Sequence, residues 1–149
     1  MRVDEVCNEA VVTADPSLGI TRAAEIMRER HVGTLVVVKM NGGVVQPIGI
    51  VTDRDLVIEV LAKQVAPDSL CLGDLISGQL LTAAPEDDLF DTLDRMRLEG
   101  VRRMPVVDGQ GKLVGILSVD DILQVVSKLV GEVPQLATHQ RVGELTRRP

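Results

Sequence analysis

The chain has 149 residues, a formal net charge of −6 at pH 7, 45% hydrophobic and 26% charged side chains, and one aromatic residue, Phe90. That balance belongs to an ordinary folded unit whose core must be built from Val, Leu, Ile, Ala and Met. The acidic field repels phosphate backbones and anionic membranes, and aromatic stacking platforms are missing, so neither nucleic acid nor membrane is expected as a partner.

In chain order, a short extended lead, Val11-Val12-Thr13, runs into Pro16, which breaks any helix arriving from upstream. Ile20, Ala23, Ala24 and Met27 then recur at helical spacing. A strand is expected over residues 34–39, a turn at Asn41-Gly42, a return strand over 48–51, and a second helix from Asp53 to about Lys63. After Ala66-Pro67-Asp68 the pattern starts again. Thr82 and Pro85 repeat Thr13 and Pro16, and Leu89, Leu93 and Met96 repeat the helical stripe. Strands over 104–107 and 113–117 flank Asp108-Gly109, and a helix is expected from Val119 to about Leu129.

Met27-Arg28 falls on Met96-Arg97 and Val37-Val38 on Val106-Val107, a displacement of 69 positions that shrinks to 66 after Val38, where the first copy carries three extra residues in a loop. This is a duplication, and it sets the fold expectation. The fold class is α+β, with tandem β-α-β-β-α repeats at 1–65 and 66–130 packed about a pseudo-twofold axis, and a tail over 131–149. Within that tail, Val142-Gly143-Glu144-Leu145 echoes Leu72-Gly73-Asp74-Leu75. A unit of roughly 60 residues without aromatic side chains is marginal alone, so the copies are expected to pack together and leave clefts between them.

Several residues carry no expected chemistry. Cys7 and Cys71 sit among apolar residues without metal-ligand spacing and read as buried free thiols. His31 and His139 have no acid at ligand or triad spacing, and Glu86-Asp87-Asp88 fits the acidic first turn of a helix. Asn41-Gly42-Gly43 lacks the lysine and helix of a phosphate loop, and no serine has a nucleophile-elbow setting. Neither a catalytic centre nor a metal site is expected. No apolar run reaches about 18 residues and the acidic N-terminus lacks a signal-peptide pattern, so a cytoplasmic location is expected.

One motif occurs once per copy: Gly49-Ile50-Val51-Thr52-Asp53-Arg54-Asp55 and Gly115-Ile116-Leu117-Ser118-Val119-Asp120-Asp121. Thr52 with Asp55, and Ser118 with Asp121, fit a capping box at a strand-to-helix junction. The same junction offers free backbone N–H groups to an anion, and its aspartate could accept from both hydroxyls of a ribose. Spacing alone does not choose between cap and ligand site.

The duplicated helix–hairpin–helix, with Thr-Ala-x-Pro at its start and Gly-h-x-(Thr/Ser)-x-x-Asp at its end, resembles the CBS domain pair, or Bateman module, over about residues 1–130. The resemblance implies a sensor of adenosine-containing ligands (AMP, ADP, ATP or S-adenosylmethionine), bound between the repeats, with no required cofactor. It places the ribose aspartate at Asp55 and Asp121, the motif hydroxyl at Thr52 and Ser118, and the leading threonine at Thr13 and Thr82. The base would meet residues 32–36, including Thr34, and 101–105. Val101-Arg102-Arg103-Met104-Pro105 is close to the family's basic-x-Pro segment, whereas the first copy has Val32-Gly33-Thr34-Leu35-Val36 there and instead carries Arg54 within its motif. Asp120 places a second carboxylate in the second motif and disfavours phosphate, so the clefts are expected to differ. The output would pass through an unidentified effector chain; the alternative is a scaffold that keeps the fold without the ligand.

A homodimer is also expected. At 100° per residue, Leu56, Val57, Ile58, Val60 and Leu61 spread over about 200°, and Ile122, Leu123, Val125, Val126, Leu129 and Val130 over about 160°. Covering one core takes a stripe of roughly 100°.

Overall fold

The computed structural model describes residues 1–132. The echo at 142–145, His139 and all of the expected tail beyond residue 132 lie outside the described residues. The first repeat contains strand β1 (Thr13–Ala14), helix α1 (Ile20–Arg30), the hairpin β2 (Thr34–Asn41) and β3 (Val44–Thr52), and the short helix α2 (Asp53–Asp55). A 3-10 turn, Pro67–Ser69, then leads to α3 (Leu72–Leu75), α4 (Leu89–Glu99), the hairpin β4 (Arg103–Val107) and β5 (Leu113–Ser118), and a helix α5 over 119–132.

β1 pairs parallel with β2, which pairs antiparallel with β3. In the second repeat β4 and β5 are antiparallel, and Ala83 makes the corresponding parallel bridge to Val106. The first hairpin turns on Gly42 (φ 56°) and Gly43 (φ 82°), a left-handed pair that glycine adopts freely and that matches strand twist. The second turns at Gly111 (φ 78°), with the Asp108 carboxylate accepting from the backbone N–H of Gln110 and Lys112.

The helices show why their sequences fold as they do. Ile20, Ala23 and Met27 form the buried stripe of α1, and Leu89, Thr92 and Met96 that of α4. Asp88 caps α4 by accepting from Phe90 and Asp91 N–H, and the Thr92 hydroxyl donates to the Asp88 carbonyl. The second helix of the first repeat departs from expectation. After α2 it widens into a π-helix over Leu56–Leu61, with Ala62 N–H donating to the Val57 carbonyl and Val65 N–H to that of Val60. Its residues therefore do not follow 100° spacing: Val60 is buried, while Val57, Ile58 and Leu61 face outward.

Two cores form, and each takes its lead from the other repeat. Val3, from a 3-10 turn at Val3–Glu5, is fully buried with Ala83, Leu89, Met96, Met104, Val106, Leu117 and Ile122. Leu72 is fully buried among Ile20, Ala23, Met27, Leu35, Val37 and Val51. The backbone repeats the exchange. Val3 N–H donates to the Asp87 carbonyl and Asp4 N–H to that of Pro85; 69 positions on, Leu72 N–H donates to Leu18 and Gly73 N–H to Pro16. The isolated bridges Arg2 to Asp88 and Cys71 to Gly19 obey the same operation. Cys71 is only half-buried, because its N–H and thiol both turn toward Asp74 to begin α3, and Cys7 is half-buried too.

The motif glycines follow from this packing. A Cβ at Gly49 would lie 2.7 Å from three side-chain carbons of Ile76, and one at Gly115 would lie 2.9 Å from Cys7 Sγ and 3.3 Å from the Asn8 carbonyl oxygen. Each return strand is thus pressed against the lead of the opposite repeat.

Replacing Leu72 with Ala should cost about 2–5 kcal/mol in urea denaturation, the usual range for a buried leucine. Amide exchange should quicken first in α1 and β1–β3, although residue 72 belongs to the second repeat. Faster exchange confined to α4, β4 and β5 would contradict the exchanged cores.

Candidate functional site

Both motif junctions adopt the same geometry. Thr52 N–H donates to Asp55 Oδ2 at 2.7 Å, the Thr52 hydroxyl donates to the same oxygen at 2.9 Å, and Asp55 N–H donates back to Thr52 Oγ1 at 3.3 Å. In the second repeat, Ser118 N–H donates to Asp121 Oδ2 at 2.9 Å, the Ser118 hydroxyl donates to it at 2.5 Å, and Asp121 N–H donates to Ser118 Oγ at 3.2 Å. At each junction both contacts to the carboxylate use a single oxygen, Oδ2. Among the described residues, Oδ1 of Asp55 and Oδ1 of Asp121 make no hydrogen bond. Cap and ligand site are therefore compatible within one carboxylate, with one oxygen for each.

The aspartates open onto different clefts, and each cleft is assembled from both repeats. A cavity of about 260 Å³ joins Ile116, Ser118 and Asp121 of the second repeat to Val11, Val12, Val32 and Thr34 of the first. On the other side, two adjoining cavities of about 330 and 550 Å³ share Ile50, Asp55, Val101 and Arg103. The first of them adds Leu80 and Leu81. The second adds Thr52, Asp53, Arg54 and Arg102. Under the pseudo-twofold operation Val11 and Val12 correspond to Leu80 and Leu81, Val32 to Val101, Thr34 to Arg103, and Asp121 to Asp55.

The sequence-selected residues thus fall into two groups and a remainder. Thr34, Ser118 and Asp121 meet at the smaller cleft, and Thr52, Arg54, Asp55 and Arg102 at the other, with Arg103 lining both. Thr13 and Thr82 line none of these cavities. Thr13 is exposed on β1, in register with Val36, and the Thr82 carbonyl accepts from Arg95 Nη2 at 2.6 Å. The positions just before each threonine, Val11-Val12 and Leu80-Leu81, supply the wall instead. Their signal was available as a duplicated apolar pair. The Thr34 hydroxyl is buried without a hydrogen-bond partner at the edge of the smaller cleft. His31, which sequence alone left without a role, also lines that cleft from the left-handed C-cap of α1, where the second repeat has Gly100.

Charge separates the clefts further. Arg54, Arg102 and Arg103 all border the cavity beside Asp55. Beside Asp121, Arg103 Nη2 lies 4.0 Å from Asp120 Oδ2, so the extra carboxylate draws on the arginine an anion would use. Local packing has diverged in step: Asp53 packs over Gly33, whose Cβ would fall 2.8 Å from Asp53 Oδ2, whereas Val119 stands opposite Arg102. Burial, helped by the carboxylates of Glu9, Asp4 and Asp121, pushes the Cys7 thiol above its ordinary range, which disfavours a nucleophilic thiolate. Among the described residues there is no grouping of His, Cys, Asp and Glu able to hold a metal ion, and no helix is long and apolar enough to cross a membrane.

Comparison with known proteins bears on this arrangement. The CBS domain family matches the chain over residues 3–62 and 72–128. An uncharacterized protein of Methanopyrus kandleri is 36% identical over 133 residues, an alignment covering 89% of this chain and 66% of that relative's length. Among solved structures, a CBS domain protein from Pyrobaculum aerophilum complexed with AMP superposes with a TM-score of 0.72 at 23% identity, covering 81% of this chain and 89% of that one. The CBS domain pair of protein MJ0100, in complex with 5′-methylthioadenosine and S-adenosyl-L-methionine, gives a TM-score of 0.74 at 22% identity over 86% of this chain and 97% of that one. At these identities the two structures speak for the fold.

The caps can be tested apart from any ligand. Thr52→Ala and Ser118→Ala should each cost about 1 kcal/mol in ligand-free denaturation, the usual loss for an N-cap hydroxyl. Stability unchanged in both variants would mean the boxes do not hold their helices.

Proposed function

Because the chain belongs to the CBS domain family and carries the domain twice in tandem, we propose that it is a regulatory module that binds adenosine-containing ligands in its two inter-repeat clefts and acts through a partner chain. The observation that carries this reading is the divided aspartate. One oxygen of Asp55 and of Asp121 closes a capping box, and the other is uncommitted where each residue lines a cleft. A carboxylate oxygen held this way is suited to the vicinal hydroxyls of a ribose, with the aliphatic wall of Val11, Val12 and Val32, or Leu80, Leu81 and Val101, beside the base. Two proteins of the same fold are bound to AMP or to S-adenosylmethionine, which supports an adenosyl ligand.

The three arginines beside Asp55 make that cleft the preferred seat for a phosphate-bearing ligand. In calorimetric titrations, AMP and ATP should bind the Asp55 cleft more tightly than the Asp121 cleft and weaken as salt rises, whereas adenosine should be far less salt-sensitive. Asp55→Ala should remove charge-assisted hydrogen bonds and lower affinity in that cleft by roughly tenfold to a hundredfold. Asp55→Asn, which keeps the shape and one acceptor, should fall between. Absence of binding by AMP, ATP, adenosine and S-adenosylmethionine alike would leave the chain a ligand-independent scaffold.

The same reading includes a homodimer. Val57 and Leu61 of the π-helix are 54% and 67% exposed, and Leu123, Val126, Leu129 and Val130 of α5 are exposed as well. So many exposed large apolar side chains on two helices are unusual on a soluble monomer. A twofold contact uses such a patch twice, so one charge placed in it acts on both halves. Sedimentation near ten micromolar should give twice the 16.1 kDa chain mass, and Val57→Glu should return it to the monomer. A wild-type monomer would end the dimer proposal.

A further inference from the structure

Arg103 is the one residue that lines all three cavities, and the pseudo-twofold relation shows why this is informative. Its counterpart is Thr34, whose short side chain borders only the smaller cleft. Replacing a threonine by an arginine near the axis gives one cation to two sites that are otherwise built separately. Arg103 opens β4 in register with Ser118, so its backbone is fixed beside the Asp121 cap, while the same residue also borders the cavities beside Asp55. Among the described residues its only ion pair is the 4.0 Å approach to Asp120, which is beyond hydrogen-bond distance, and the side chain remains 35% exposed. The guanidinium donors are therefore not tied up by the protein.

We propose that Arg103 is a shared anion contact that couples the two clefts, so that a phosphate-bearing ligand in one weakens the binding of a second in the other. This rests on the nucleotide reading above and adds a rule of occupancy to it. A guanidinium offers five N–H donors but a single positive charge. The first anion takes most of its attraction, and a second must approach a neutralised arginine and a neighbouring negative charge. The Asp55 cleft retains Arg54 and Arg102 after Arg103 is engaged, whereas among the described residues Arg103 is the only arginine lining the smaller cleft. Occupation of the Asp55 cleft therefore falls hardest on the Asp121 cleft. An uncharged nucleoside needs no arginine and does not transmit the effect.

The two clefts differ intrinsically, so unequal affinities alone do not measure coupling. The test instead compares one cleft with its neighbour filled and empty. AMP is titrated calorimetrically into the wild type and into Asp55→Ala, whose first cleft is weakened by roughly tenfold to a hundredfold, and the affinity of the Asp121 cleft is read in each. That cleft should bind AMP on the order of fivefold more tightly in Asp55→Ala than as the second site of the wild type, at the lower end of allosteric couplings because the arginine is partly exposed. With Arg103→Gln in both backgrounds the difference should vanish. With Arg103→Lys, which keeps the charge and loses the fork, it should persist in sign. Adenosine should show no difference in any protein, and unchanged thermal denaturation confirms that the Arg103 variants are folded.

Equal AMP affinities at the Asp121 cleft with and without Asp55 overturn the coupling while leaving the nucleotide reading intact. A difference that survives Arg103→Gln overturns the role of Arg103. No binding of AMP or adenosine by any of the proteins overturns the nucleotide reading and this inference with it.

Discussion

The reciprocal exchange of opening segments is the constraint from which the rest of the structure follows. Val3 completes the core of the second repeat and Leu72 that of the first, each fully buried and each anchored by backbone hydrogen bonds to the loop before α4 or α1 of the other repeat. Neither half can close its apolar interior with its own residues. For a chain with one aromatic side chain this matters, because large rings are not available to fill a small core. The exchange also sets the shape of the return strands. Gly49 and Gly115 lie directly under Ile76 and Cys7, so the glycine that opens each motif is required by packing before any ligand is considered.

The clefts are a by-product of the same crossing. Once each lead lies across the opposite repeat, the capping aspartate of one half faces the lead and the hairpin strand of the other. In each such side chain Oδ2 holds the helix, while Oδ1 has no hydrogen-bond partner among the described residues. The copies have moved apart around that shared frame. The first sets Gly33 against Asp53, the second Arg102 against Val119, and Arg102 adds its charge to the cleft beside Asp55.

How much of this was legible in the sequence depends on the distance over which each feature is encoded. Local features were readable: the helical stripes of α1 and α4, both hairpins, and the two capping boxes, whose residues lie three apart. The tandem CBS organisation was readable because duplication repeats those local signals in order. The exchange of leads was not, since Val3 and Asp87 carry no shared periodicity that would announce their contact. The winding of Leu56–Leu61 was also hidden, because an apolar run with one glutamate satisfies α and π spacing alike. At the clefts, a resemblance pointed to Thr13 and Thr82, yet the wall is formed by the residues just before them. Alternation along so short a strand does not say which neighbour turns inward, and the half-buried cysteines have a similar origin in the start of α3 and in the exposed lead.

The exchange has a consequence in time as well as in space. During synthesis the first half emerges with its own strands and helix in place but without Leu72, so its interior stays open until the opening residues of the second half have left the ribosome. The segment around Val3, made first, must wait longest, since its partners extend to Ile122. Contacts of such long sequence separation slow folding, because loop closure comes before the stabilising contact. A chain interrupted between the halves would expose two incomplete apolar surfaces, so the unit of folding, and of quality control, is the pair and not the repeat.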